Sequence, residues 1–397
     1  MYDNSGHPFQ AQLSRLLSDR GHDVVHGHCE AYQGGKGQFA SGEADRVRFV
    51  STGAGRTVAK YNFVKRFAQE FRLGFELADL LRRERPDIVL IANTPIPTLM
   101  VAAVWFLLSR TPWVLWQQDV YAFAVGTVTS GKGATLVRMA ARAIMILEAW
   151  CVRRADAVVV IAESFLTAHR EWGTLDKTVV ISNWAPLDEI VPLGRDNAWA
   201  AEQGIDAGLT LLYAGTLGLK HNPLLMVDLA ARVQERGVDV RLVVVNSGPA
   251  VDVLRAAGED RGVPVLLAPF QPYERLSEVL ASGDVLVVLL EAGASSFSLP
   301  SKALTYLCAG RPIVGLLPES NVIAGLVRRA GGAVFPPDEG SIDTAAGWVL
   351  DLWADAGRRR ELGLAGRRLA EEEFSAERTV ARFETVLTGV IAGRPGQ

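Results

Sequence analysis

The sequence predicts an α/β protein made of two doubly wound domains in tandem, and three observations carry that expectation. At 397 residues the chain exceeds one ordinary core, since a domain typically takes roughly 100–200 residues. One format recurs along it: a β-branched apolar run, a short polar loop, then an amphipathic helix. Apolar strands alternating with helices indicate parallel sheets covered on both faces. The format halts over the polar stretch Pro186 to Asp206, which contains Gly194-Arg195-Asp196-Asn197, and then restarts.

The elements follow in order. The opening "MYDNSGHPFQAQLSRLLSDRGHDVV" enters a helix near Pro8 with no apolar strand before it, although a doubly wound domain normally begins with a strand that becomes central. The first strand therefore reads as missing, and the stranded loop Asn4-Ser5-Gly6 favours a translation start upstream of Met1. Phe63, Phe67, Phe71 and Phe75 recur four apart, close to Arg56, Lys60, Lys65, Arg66 and Arg72. They form either core contacts beneath a solvated basic face or a surface that rests on anionic lipid.

Strands are expected at Asp87–Ala92 ("DIVLIA"), Trp113–Trp116 ("WVLW"), Asp156–Ala162 ("DAVVVIA") and Val179–Ile181 ("VVI"). Between them the apolar run Ile96–Ser109 falls short of the roughly 20 residues that span a bilayer. Leu136–Val152 is interrupted by Arg138, Arg142 and Glu148, as on a helix packed along one stripe. Residues 1–185 make the first domain. Residues 186–373 make the second, with strands at Leu209–Ala214, Val240–Val245, Val263–Ala268, Asp284–Leu290 and Pro312–Leu317. Residues 374–397 form a closing helix expected to pack back on the first domain.

Composition narrows the function. With 49% hydrophobic and 21% charged residues and a formal net charge of −3, the chain reads as a globular enzyme with no nucleic-acid partner. Cys29, Cys151 and Cys308 lie far apart, so a disulfide framework is not indicated and a reducing cytoplasm fits. His26-Gly27-His28-Cys29 reads as metal ligands or as a strand end with solvent-facing histidines. No partner cluster with zinc-like spacing accompanies it, so no metal is expected.

Two loops can carry chemistry. "YAGTLGLKHN" follows a strong strand, and there Gly215 and Gly218 let backbone approach a ligand while Lys220 supplies a cation. In "LPSKALTYLCAGRPIV", Pro300 suits a first helical turn, so the free amides of Ser301 and Lys302 and the Lys302 ammonium suit a diphosphate. The plainer readings are an ordinary strand-to-helix turn and a Ser301 cap beside a solvated lysine. Asn246-Ser247-Gly248-Pro249 and Phe270-Gln271-Pro272-Tyr273 end two further strands of the same sheet, where such folds bind ligands.

These segments, in this order, resemble the donor domain of retaining GT-B glycosyltransferases of family 4, the group 1 type. The likeness rests on "YAGTLGLK", "VVVNSGP", "FQPYERLSEVLASGDVLVVLL" and "LPSKALTYLCAGRPIV". More loosely, "RPDIVLIANTP", "WQQDVY", "RRADAVVVIAESF" and "VVISNWAP" resemble its acceptor domain, and the nearest likeness is to enzymes building bacterial surface polysaccharides. The resemblance implies a GT-B fold, two Rossmann-like domains facing a cleft. It also implies metal-independent transfer, with no cofactor, of a hexosyl or N-acetylhexosaminyl group from a nucleotide-sugar donor, UDP-linked, to a glycan or polyprenyl-diphosphate-linked acceptor. The place implied is the cytoplasm, peripherally at the inner face of the plasma membrane.

Carried over residue by residue, Lys220 resembles the lysine on the donor diphosphate. Ser301 and Lys302 stand where backbone amides hold the distal phosphate, and Asn246, Ser247 and Gly248 match the nucleotide loop. Gly215, Thr216, Phe270 and Gln271 complete the donor side. Thr216 stands near where many members have an arginine. Of the family's two glutamates, the second falls on Thr305 and the first on Phe297. Asn4, Ser5, Gly6, Asn93, Thr94, Gln118 and Asp119 form the acceptor side, with Asp119 and Lys220 as the catalytic candidates. By its place after the strand "WVLW" and beside Gln118, Asp119 reads either as the group that orients or deprotonates the acceptor hydroxyl or as an acid capping the following loop. A nucleotide-sugar epimerase and a catalytically weak sugar-nucleotide-binding protein remain as alternatives.

Overall fold

Each half of the chain builds a parallel sheet in the strand order of a doubly wound fold. The structure, a computed structural model, describes residues 1–4, 8–32, 46–59, 63–92, 94–120, 134–217, 222–246, 250–291 and 302–393. The chain divides into two compact units, Met1–Asn183 with Ala376–Gln397, and Trp184–Ser375.

The first unit runs β1 (Tyr2–Asp3), α1 (Pro8–Asp19), β2 (Val25–Cys29), β3 (Arg48–Thr52), α2 (Phe63–Glu84), β4 (Val89–Ala92), α3 (Ile96–Ser109), β5 (Trp113–Gln117), α4 (Ala134–Val152), β6 (Ala157–Val160), α5 (Leu166–Trp172) and β7 (Thr178–Val180). The sheet order is β3-β2-β1-β4-β5-β6-β7, parallel throughout. The expected absence of a first strand is corrected here. Tyr2 pairs with Gly27 on one side and Ile91 on the other, so two residues hold the central place. Ladder bonds on both flanks, a buried Tyr2 ring and its hydroxyl 2.9 Å from Thr52 Oγ1 fix the pair without an apolar run. Gly27 is part of that fit, because a Cβ there would stand 2.9 Å from the Tyr2 ring.

The histidines of β2 face inward, which corrects the solvent-facing reading. His26 is fully buried with Nδ1 2.7 Å from Ser14 Oγ, and burial pushes its imidazole well below the usual range. Cys29, Cys151 and Cys308 are buried, and burial pushes the Cys151 and Cys308 thiols up to about 12. Among the described residues no group of three His, Cys, Asp or Glu converges as metal ligands would.

The second unit runs α6 (Ala198–Glu202), β8 (Leu209–Ala214), α7 (Leu224–Glu235), β9 (Val240–Val245), α8 (Ala250–Arg261), β10 (Val265–Ala268), α9 (Leu276–Ala281), β11 (Val285–Leu289), α10 (Lys302–Cys308), β12 (Ile313–Leu316), α11 (Val322–Arg329), β13 (Ala333–Phe335), α12 (Ile342–Ala354) and α13 (Ala356–Glu373). Its order is β10-β9-β8-β11-β12-β13, again parallel. Alternate residues feed opposite cores: Leu212, Val243 and Leu286 pack on one face, Leu211, Val244 and Val287 on the other. Burial on both faces is why these strands read as unbroken apolar runs. The polar connection holds α6, whose first turn is capped by Asn197 Oδ1 accepting from the Ala200 amide at 3.0 Å.

The chain then returns to the first unit as α14 (Ala376–Ala392). Phe383, fully buried, sets its ring edge-on to Trp116 of β5 with centroids 4.7 Å apart. The Arg382 guanidinium donates to the Val180 carbonyl at 2.6 Å, and Arg20 and His22 both meet Glu384.

α2 and α3 lie close together, for a Cβ on Gly74 would come within 2.7 Å of Val101. Their outer surface sets exposed apolar side chains among charged ones. Phe67 and Phe75 are 50% and 60% exposed, with the Phe71 ring between them at 6.1 and 5.8 Å, so these phenylalanines are a surface feature rather than core. Phe63 and Lys60 carry no described side chain. Leu107 and Leu108 on α3 are exposed as well, and α3 carries no charged residue. Among the described residues no helix is long and apolar enough to cross a membrane.

Candidate functional site

In the second sheet β8 and β11 stop pairing after Leu212 and Leu286. Beyond that point the strands part, at the place where the strand order reverses, and a doubly wound sheet opens a crevice there. Tyr306 of α10, almost fully buried, serves the last residue of β8: its hydroxyl accepts from the Ala214 amide at 2.8 Å and donates to the Ala214 carbonyl at 3.1 Å. Both backbone groups are thereby satisfied without a neighbouring strand.

The turn after β8 is pinned at three points. The Gly215 amide donates to the Val245 carbonyl at 3.0 Å, the Tyr213 hydroxyl to the Thr216 carbonyl at 2.9 Å, and the Leu217 amide to Asn246 Oδ1 at 3.3 Å. Gly215 has φ +143°, and a Cβ there would stand 3.0 Å from Lys302 Nζ. The backbone conformation favours glycine, and a side chain there would also crowd the Lys302 ammonium.

Lys302 opens α10 and folds back beneath this turn. Its ammonium donates to the Tyr213 hydroxyl and lies 4.2 Å from the centre of that ring. No carboxylate is paired with it among the described residues, and burial lowers its pKa to about 8. The solvated lysine that a plain helix start would carry is thus replaced by a desolvated cation without a counter-charge. Thr305, half-buried, stands three residues along the same helix.

The structure brings Gly215, Thr216, Asn246 and Lys302 around one turn. Phe270 and Gln271 follow β10, one strand beyond β9. Phe270 is half-exposed and the Gln271 amide donates to the Pro269 carbonyl at 2.8 Å. Lys220, Ser247, Gly248 and Ser301 lie outside the described residues.

On the first unit, the carboxyl ends of β1, β4 and β5 carry the acceptor-side candidates. Asn4 is buried with its Oδ1 3.5 Å from the Tyr2 hydroxyl, and Thr94 is buried with Oγ1 donating to the Ala92 carbonyl at 2.9 Å. Ser5, Gly6 and Asn93 lie outside the described residues. Gln118 and Asn183 exchange reciprocal amide bonds of 3.0 and 2.9 Å. Asp119 follows, exposed, beside a cavity of about 20 Å³ that Thr94, Gln117 and Glu148 also line.

The residue before that pair is held from the opposite side. Gln117 Nε2 donates to Glu148 Oε1 at 2.9 Å, and its Oε1 accepts from His169 Nε2 at 3.0 Å. Burial lowers His169 to about 4, so it stays neutral, with Nδ1 accepting from Thr174 Oγ1 at 2.9 Å. The consequence is a rigid strand end presenting one exposed carboxylate. Glu148, His169, Tyr213 and Tyr306 were not identified from sequence as parts of either site. Only the tyrosines' places, one at a strand end and one a turn into the Lys302 helix, could have drawn notice.

Residues 7–184 match the glycosyl transferase 4-like domain family. The chain is similar to the probable glycosyltransferase WbjE of Pseudomonas aeruginosa, 26% identical over 272 residues that cover 65% of this chain and 64% of that protein. It is also similar to the putative colanic acid biosynthesis glycosyl transferase WcaI of Escherichia coli K12, 25% identical over 240 residues covering 58% of this chain and 57% of that one. The matches thus span less than two thirds of the length of these relatives. Among solved structures, HepE of Anabaena in complex with UDP-glucose superposes with a TM-score of 0.68 at 15% identity, covering 98% of this chain and 99% of that one.

Proposed function

Because residues 7–184 match the glycosyl transferase 4-like domain family and the chain has the fold of GT-B proteins, we propose that it moves a hexosyl or N-acetylhexosaminyl group from a UDP-sugar to a glycan or lipid-linked acceptor in cell-surface polysaccharide synthesis, retaining the anomeric configuration without a metal. One observation carries the reading: the half-buried Lys302, its ammonium against Tyr213 and without a carboxylate partner among the described residues, at the Gly215 turn. A desolvated cation at a strand end where ligands bind stabilises a diphosphate leaving group as its charge develops. The UDP-glucose held by HepE supports a uridine nucleotide on this fold.

In this reading the C1–O bond to the diphosphate breaks, the nucleoside diphosphate leaves with its charge met by Lys302 and Lys220, and Asp119 takes the proton of the acceptor hydroxyl. Double displacement would need two carboxyl groups flanking the sugar, and the sequence offers no such pair. Attack on the face the leaving group vacates is therefore the proposed route. The test is incubation of the full chain with a panel of nucleotide sugars and a polyprenyl-diphosphate-linked acceptor, with mass spectrometry of the product and NMR of the new anomeric centre. A retained linkage, unaffected by EDTA and lowered at least 100-fold in kcat by Asp119→Asn, is expected, taking a general base as worth roughly 10²–10⁴. The absence of both transfer and donor hydrolysis across the whole panel would sink the reading.

The lipid-linked acceptor draws support from the outer surface of α2 and α3, where Leu108 is 81% exposed, Phe67 and Phe75 are exposed, and Arg72, paired with Glu76, is exposed on the same helix as the phenylalanines. An apolar surface with a basic fringe favours anionic bilayers. The chain is expected to sediment with phosphatidylglycerol vesicles more than with phosphatidylcholine vesicles, and Leu107→Glu with Leu108→Glu should release it. Equal sedimentation of wild type and double variant would remove this surface from the proposal.

A further inference from the structure

We infer that the side-chain amide of Asn246 donates a hydrogen bond to a diphosphate oxygen of the bound nucleotide sugar, making Asn246 a residue that discriminates charge in the donor site. The inference rests on the donor reading above and adds a specific atom to it.

Asn246 follows the last residue of β9 and is 3% exposed. Its backbone amide is committed to the Ala268 carbonyl at 3.0 Å. The side-chain orientation follows from its partner: the Leu217 amide can only donate, so the atom 3.3 Å from it must be the oxygen. Nδ2 therefore faces away from Leu217, and there it has no hydrogen-bond partner among the described residues. A buried donor left unpaired is costly, and such groups in folded proteins normally meet protein or solvent acceptors.

The surroundings indicate the chemistry of the missing acceptor. The turn Gly215 to Leu217 is flanked at Leu217 by Asn246 and at Gly215 by Lys302. The turn's own groups are used internally: the Gly215 amide, the Thr216 carbonyl and the Leu217 amide all have protein partners. What remains at its two edges, among the described residues, is a cation without a carboxylate and an amide donor without an acceptor. An anion with several acceptor oxygens answers both, and a diphosphate provides them. A neutral sugar hydroxyl could satisfy Nδ2 alone and would leave Lys302 as it is. The two unmet groups together therefore favour the charged part of the donor.

Asn246→Asp isolates the claim. Aspartate keeps an oxygen for the Leu217 amide, so the turn stays pinned, and it replaces the free donor with an anion. Asn246→Ala removes both. Calorimetric titration of the full chain with UDP, GDP and uridine, with melting temperature as the control of folding, separates the outcomes. Asn246→Asp should lose affinity for UDP at least tenfold and more than Asn246→Ala. The loss should shrink as ionic strength rises, because salt screens like-charge repulsion. Uridine, which carries no phosphate, should bind Asn246→Asp and wild type alike. Unchanged UDP affinity in a folded Asn246→Asp protein would overturn this inference and leave the donor reading standing. An equal loss for uridine would move the amide from the diphosphate to the nucleoside and overturn it too. Failure of wild type to bind either UDP or GDP would overturn the donor reading and this inference with it.

Discussion

Replacing Lys302 by alanine is expected to weaken UDP binding by roughly 10- to 100-fold, the range of a charge-assisted hydrogen bond to phosphate, while the melting temperature holds or rises. The two halves of that expectation have one cause. The ammonium sits against the Tyr213 ring and hydroxyl with no carboxylate beside it among the described residues, so the folded protein carries its desolvation without a counter-charge. Alanine relieves that cost. The Tyr213 hydroxyl still donates to Thr216 and the Ala214 groups still meet Tyr306, so the turn keeps its other supports.

The lowered pKa of about 8 gives the same variant a pH signature. Below that pH the free protein already holds the proton, and affinity for a diphosphate should be flat. Above it, half or more of the lysines are neutral, and a bound anion raises the pKa again, so binding must take up a proton. Affinity should therefore fall by up to tenfold per pH unit above about pH 8, and the fall should vanish in Lys302→Ala. The unfolded chain holds this proton up to the ordinary value of 10.5 and the folded chain only to about 8, so stability rises with pH between those values. Calorimetry from pH 7 to pH 10 checks both trends, and a slope shared by wild type and variant would assign it to another group.

Phe383→Ala should destabilise the first unit by about 3–5 kcal/mol, the usual cost of emptying a buried phenylalanine site. For a unit of this size that corresponds to a melting temperature lower by on the order of 10 °C. Phe383 is fully buried and contacts Trp116, itself fully buried in β5. The strand that ends at Gln117 and leads to Asp119 thus loses its packing from α14, and turnover should fall with stability. Phe383→Leu, which keeps most of the volume, should cost less than about 1.5 kcal/mol. Differential scanning calorimetry decides the point: equal melting of the two variants would mean that the ring is not what holds α14 in place.

How much of this could be read from sequence depended on how burial is recorded in the chain. β8 and β9 were legible to the residue because both of their faces are covered, which leaves an uninterrupted apolar run. β1, β2 and β3 were not, since two residues show no period and "VHGHC" and "RFVST" mix polar groups among the buried ones. Gln117 joins Glu148, 31 residues on, to His169, 52 residues on, and no local spacing announces such a bridge. Lys302 was found by its place after Ser301, yet its environment was not. The hydroxyl that receives its ammonium belongs to a residue 89 positions earlier.

The path of the chain has a consequence for synthesis. Met1–Asn183 and Ala376–Gln397 make one unit, and every residue of the other lies between them. Domains generally fold as units while they emerge from the ribosome, the amino-terminal one first. Here that order is inverted: Trp184–Ser375 can mature while the nascent chain is still tethered, whereas the first unit waits for Phe383 with Trp116 uncovered. A chaperone that shields this unfinished surface during translation would be expected to raise the yield of active protein, and a message ending before α14 should yield a chain with one folded unit and one aggregation-prone one.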